Sequence, residues 1–150
     1  MNDLKAQFQR QCLQIVDDKL QNTLSRIQSL QTDLNSETKS SAGDKHETGR
    51  AMIQLEMEKE SQKLNDLQEM KNTLSRISSD NSDDIVKLGS LVTTSMATYF
   101  ISASLGALKT ENSSCFAISP KSPIGRLLLG KRTGEELVFN GRKIQINSIS

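Results

Sequence analysis

The sequence predicts an α+β protein. An antiparallel coiled-coil helical hairpin is expected over residues 1–80, followed by a small domain over 81–150 built from an antiparallel sheet with one short helix. Three observations carry this reading. Residues 1–80 contain no proline and only two glycines, Gly43 and Gly49, both inside the stretch SSAGDKHETGR (40–50). Amphipathic helical sequence flanks that stretch on both sides, as in a helix out, a tight tip and a helix back. From Ile85 the composition turns to short segments rich in Val, Thr, Ile and Phe, and the chain closes on two such segments joined by Asn140-Gly141.

The first helix is expected from about Leu4 to Leu34, with Leu13, Val16, Leu20, Leu24, Ile27 and Leu34 on one apolar stripe. The second is expected from about Thr48 to Ile77, with Ile53, Met57, Leu64, Leu67, Leu74 and Ile77 repeating the stripe. Each stripe is too narrow to build a globular core, so the two are expected to cover each other. Helices of about 30 residues rising ~1.5 Å per residue make a rod of ~45 Å. The string NTLSRI occurs at 22–27 and again at 72–77, which two facing helices of similar composition can share by chance. SSDNSDD (78–84) reads as a linker. Strands are expected in 86–94, 98–104 and 115–119, and a terminal hairpin of 136–139 and 142–149 around a type I′ turn. Between them, Ser122 reads as an N-cap and Pro123 as the first residue of a short helix, PIGRLLL, stopped by Gly130.

Composition narrows the function classes. The chain has 150 residues, a net charge of +1, 35 % hydrophobic and 3 % aromatic residues, and no Trp. Residues 1–80 carry a net charge of −2 and residues 81–150 a net +3, so neither half is basic enough to hold duplex DNA through its phosphates alone. No run approaches the ~18 apolar residues of a membrane span, and the polar start MNDLKAQFQRQ does not read as a secretory signal. Cys12 and Cys115 lie in segments that read as different domains, without zinc-ligand spacing, and are expected as reduced buried thiols. A cytoplasmic protein is expected.

The tip concentrates the chemistry. Asp44 and Glu47 stand at i and i+3, on one side of a first helical turn. Two readings are open. Asp44 can be an N-cap with Glu47 completing a capping box. Alternatively the pair can supply part of a Mg²⁺ site that another macromolecule completes, because Mg²⁺ often takes only one or two protein carboxylates. Lys39, Lys45, His46 and Arg50 surround them and could approach phosphates. His46 is the only histidine, and no nucleophile elbow or glycine-rich phosphate loop is present, so the chain does not read as a self-sufficient enzyme. The stretch SPIGRLLLGK (122–131) reads in the first place as a helix with its cap and stop.

Taken together these segments resemble the Gre family of bacterial transcript cleavage factors. FAISPKSPIGRLLLGKRTGEELVFNGRKIQINSI (116–149) is similar to the family's closing pattern: a strand, Ser-Pro-Ile/Leu, a short helix, Leu-hydrophobic-Gly-Lys and a terminal hairpin. GDKHE (43–47) matches its Gly-Asp-x-x-Glu tip. The resemblance implies an FKBP-like C-terminal domain that docks on RNA polymerase, and a coiled coil threaded into the secondary channel. It also implies tip acids that help hold a Mg²⁺ shared with the polymerase, so that backtracked RNA is cut near its 3′ end. By position, Asp44 and Glu47 would be the metal-assisting acids, with Lys45, His46 and Arg50 facing RNA or polymerase. Ser122, Pro123 and Ile124 would lie at the docking surface. The implied protein is a monomeric transcription elongation factor with no tightly bound cofactor of its own.

Two positions depart from the family pattern: Thr48 follows the second acid where Asn is usual, and Ala51 stands where a Tyr aligns. A non-cleaving regulator of the same channel is the alternative within the superfamily. A prolyl isomerase and a coiled-coil dimerisation module are alternatives from other classes.

Overall fold

A computed structural model describes the backbone of residues 3–39, 44–78 and 84–150, and the side chains of these residues apart from 38, 39 and 44–47. The protein is α+β: two long helices precede a six-stranded sheet that carries one short helix. The described residues group into two compact units, Val16–Lys71 and a second one joining Met1–Ile15 to Asn72–Ser150. Among the described residues no helix is long and apolar enough to cross a membrane.

In the helical unit, α1 (Asp3–Lys39) and α2 (Asp44–Ser75) run antiparallel. Lys71 Nζ lies 2.8 Å from Asp17 Oδ1 at one end, and Gly49 faces Glu37 at the other. Val16, Leu20, Thr23 and Leu30 are buried on α1, with Ile27 and Leu34 half-buried between and beyond them. Leu67 is buried on α2, with Ile53, Met57 and Leu64 half-buried. Alternating steps of four and three keep these positions on one seam, the spacing of paired helices. The stripe expected from sequence differs at two positions: Leu24 is 46 % exposed with Thr23, at 4 %, in its place, and Leu30, absent from the expected stripe, is buried at 3 %. The seam advances by 3.5 residues on average, so after Leu20 the next inward position is 23.

In the second unit the strands are β1 (Leu91–Thr94), β2 (Thr98–Ile101), β3 (Gly106–Lys109), β4 (Ser114–Ile118), β5 (Glu136–Phe139) and β6 (Arg142–Ile149). Their order across the sheet is β3-β4-β2-β1-β6-β5. The sheet is mixed, which corrects the expectation of an antiparallel one: β2 and β4 are parallel, with Tyr99 opposite Phe116. Parallel neighbours need a long crossover, and residues 102–113, including the unanticipated strand β3, provide it. The segment expected as strand over 86–94 is regular only from Leu91, because Lys87 N–H donates to Ser90 Oγ and Gly89 turns with φ +93°. The terminal hairpin is as expected, with Asn140 (φ 53°) and Gly141 (φ 78°) in the left-handed region that a type I′ turn demands.

Apolar packing forms on both faces of the sheet. Short helix α3 (Pro123–Leu128) closes one core with Val86, Val92, Tyr99, Ile101, Leu137, Ile144 and Ile146. Phe100, between Tyr99 and Ile101, points the other way, because side chains alternate along a strand. There it meets Phe8 of α1 with ring centroids 6.4 Å apart. Cys12, Leu74 and Ile77 are buried with Phe8. Gln9 Nε2 donates to the carbonyls of Leu74 (2.8 Å), which also accepts from Ile77 N–H at 3.3 Å, and of Ile77 (3.0 Å), just beyond the end of α2. Cys12 and Cys115 therefore belong to the same unit, contrary to the reading of separate domains.

Lys5 is 1 % exposed and its Nζ has no hydrogen-bond partner among the described residues. Loss of hydration, and secondarily the charge of Lys87, push its pKa below the ordinary 10.5. The folded state therefore binds the Lys5 proton less readily than the unfolded chain, and stability rises with pH towards 10.5. Lys5→Met is expected to stabilise the protein by about 1–2 kcal/mol at pH 7 in urea titrations, an advantage that shrinks as pH approaches 10. Burial also pushes the thiols up, Cys12 to about 11 and Cys115 to about 12. Modification of both by a thiol reagent at pH 7.5 is expected to be slow and to accelerate together on adding urea; rapid modification of either in the native protein contradicts this burial.

Candidate functional site

Two regions gather the residues singled out from sequence. The first is the hairpin tip. α2 opens at Asp44, so Asp44, Lys45, His46 and Glu47 occupy its first helical turn, where the helix dipole favours carboxylates. The side chains of these four residues, and the whole of residues 40–43, lie outside the described residues. Arg50 follows within the next turn and is exposed. Gly49 faces Glu37 across the helix pair: a Cβ placed there would lie at ordinary contact distance, 3.4 Å, from Cδ of Glu37. Glu37 is a third acid at this end of the hairpin, one that sequence reasoning missed. It lies outside the Gly-Asp-x-x-Glu string and reaches the region only because α1 returns alongside α2. Among the described residues no cluster of His, Cys, Asp and Glu has the makings of a metal site by itself.

The second region is the cap of α3. Ser122 is in extended conformation (φ −67°, ψ 158°), and its Oγ accepts from Gly125 N–H at 3.1 Å while donating to Ser119 carbonyl at 2.6 Å. Pro123 follows at the first helical position, where its missing N–H costs nothing. Gly125 is required by space: a Cβ there would collide with Ser119 carbonyl and lie 2.8 Å from Ser122 Oγ. Leu129 N–H donates to Gly125 carbonyl at 3.0 Å and Gly130, with φ +81°, ends the helix.

The three residues expected at a docking surface are thus differently placed. Pro123 is exposed, Ser122 is half-buried in the cap, and Ile124 packs into the core at 8 % exposure. The outward side chains here are Lys121, Arg126, Leu127 and Leu129, both leucines being 38 % exposed. The PIGRLLL pattern contains that division, since Ile124 and Leu128 are four apart and face one way.

Gly125→Ala is expected to destabilise the protein by about 2–3 kcal/mol, because the displaced carbonyl is backbone and cannot swing aside. Ser122→Ala is expected to cost about 1 kcal/mol. Denaturant melts of the two variants check both values. A scan against protein-family models and a search of curated proteins find no match to this chain.

Proposed function

We propose that the protein is a Gre-type transcription elongation factor that acts on RNA polymerase stalled on backtracked RNA. The observation that carries this reading is the joining, in one chain, of a helical hairpin with the Gly-Asp-x-x-Glu tip to a sheet bearing the Ser-Pro-Ile-Gly helix. In this reading the helices form a coiled coil that enters the secondary channel, and the sheet unit is an FKBP-like dock at its rim. Pro123, with the outward Lys121, Arg126, Leu127 and Leu129, makes the docking contact around the Ser122 cap, while Ile124 supports it from the core. From Val16 to Lys39, α1 alone is ~36 Å long, enough to carry a tip to a recessed site.

Asp44 and Glu47 then supply carboxylate oxygens to a Mg²⁺ shared with the polymerase. Such an ion, held there, would activate the attacking water and offset charge developing on the scissile phosphate. Lys45, His46 and Arg50 flank the RNA. The protein holds no tightly bound cofactor, cuts nothing alone, and works as a cytoplasmic monomer. Thr48 and Ala51, in place of the usual Asn and Tyr, favour one second reading: a regulator that occupies the channel without stimulating cleavage.

The test uses a backtracked elongation complex with labelled RNA and Mg²⁺. Wild-type protein is expected to release 3′ fragments rapidly. Asp44→Ala and Glu47→Ala are each expected to slow this by about a hundredfold or more while still binding polymerase. Binding without release by the wild type selects the non-cleaving regulator, and absence of binding rejects both readings.

A further inference from the structure

A groove of about 390 Å³ opens on the second unit beyond the part of the sheet that α3 covers. Met96, Ala97, Ala107, Lys109, Ser114 and Phe116 are among the residues that line it. Neither the tip residues nor those of the α3 cap take part, so the proposed transcription role leaves it unexplained. Its size falls at the small end of ligand pockets, which run from about 300 to 1,000 Å³ and combine apolar walls with a few convergent polar groups.

The walls are fixed before any ligand arrives. Thr94 Oγ1 accepts from the backbone N–H of Met96 (3.2 Å) and Ala97 (3.0 Å), which locks the turn presenting Met96. On the opposite side, Thr110 N–H donates to Ser113 carbonyl at 2.8 Å and closes the β3–β4 turn. Lys109 and Ser114 pair directly beside that turn. Gln11 Nε2 holds the Lys109 carbonyl at 2.7 Å, so the lysine backbone is pinned while its side chain stays exposed. Phe116 leans on Tyr99, with centroids 6.3 Å apart and planes tilted by 37°. Even so, Phe116 and Met96 are each 48 % exposed.

The lining selects a ligand class. Met96, Ala97, Ala107 and Phe116 ask for an apolar body. On the face that carries Phe116, Lys109 supplies a single positive charge and Ser114 a hydroxyl donor, and no lining residue is acidic. One ammonium with one hydroxyl matches a monoanion, whereas a phosphate dianion calls for a denser set of charged donors. We propose that this groove binds a small aliphatic or aromatic carboxylate, its apolar part on Phe116 and Met96 and its carboxylate at Lys109.

Sodium hexanoate and the neutral hexan-1-ol serve as probes, titrated into the ¹⁵N-labelled full chain and followed by amide chemical shifts. Hexanoate is expected to produce saturable shifts at Ala107, Ser114 and Phe116, with hexan-1-ol about tenfold weaker. Lys109→Gln is expected to weaken hexanoate by about tenfold, leave hexan-1-ol unchanged, and leave the amides of Ile144 and Ile146 in place. Phe116→Ser is expected to weaken both probes. The proposal is overturned if hexanoate shifts do not saturate, if the two probes bind equally, or if Lys109→Gln binds hexanoate as the wild type does.

Discussion

The sheet unit depends on apolar packing between its strands, the start of α1 and the last turn of α2. A pair of helices with one seam buries little apolar surface, and its exposed backbone ends need partners. Here one short stretch of α1 meets both needs. Phe8 and Cys12 put apolar surface against the sheet, and Gln9 reaches across to the carbonyls of Leu74 and Ile77 at the end of α2. Gly89 is shaped by the same junction: its φ of +93° turns the chain, and a side chain there would meet Ile77 Cγ2 at 2.8 Å. The sheet in turn has Phe100 buried on the side facing α1 while Tyr99 and Ile101 serve the α3 core. Lys5 is the exception within this junction, an amine with no described partner in a place that otherwise excludes water.

Much of this was legible in the sequence, and the failures are instructive. The six residues NTLSRI occur twice, and burial cuts them differently. In α1 Thr23 is buried and Leu24 is turned outward, whereas the second copy buries Leu74, in the last turn of α2, and Ile77, just beyond the helix end. Hydrophobicity alone places both leucines inside. The outcome is decided by spacing from Leu20 on one helix, and on the other by the pull of the junction on Leu74. Strand β3 was missed because Gly106 and Lys109 weaken a short segment whose only buried residue is Leu108. Its place in the sheet comes from β4, which no local pattern encodes. The parallel pairing of β2 with β4 follows from that same omission.

At the functional regions, local chemistry was readable and tertiary proximity was not. The Ser122–Pro123 cap and the Asn140-Gly141 turn follow from residue type, since each satisfies its backbone within a few residues. Asp44 and Glu47 are conspicuous by their spacing. Glu37 is not, because it joins that end of the hairpin only through antiparallel pairing against Gly49. Ile124 reads as part of an exposed motif in sequence but belongs to the core, because the residue after a proline-started turn points inward here. The Met96–Phe116 groove was invisible for a similar reason: its walls come from three separate strands and a turn.

The seam of the helical unit has a further consequence. It carries Thr23 at a buried position, and Glu60, its side chain 15 % exposed, among the half-buried ones. The Asp17–Lys71 pair, both side chains about half exposed, adds little cohesion of its own. The packing around Phe8, Phe100, Leu74 and Ile77, by contrast, is mostly apolar. The two units therefore cohere by different means: the helical unit through one narrow, partly polar seam, and the sheet unit through apolar packing on both sides of its strands.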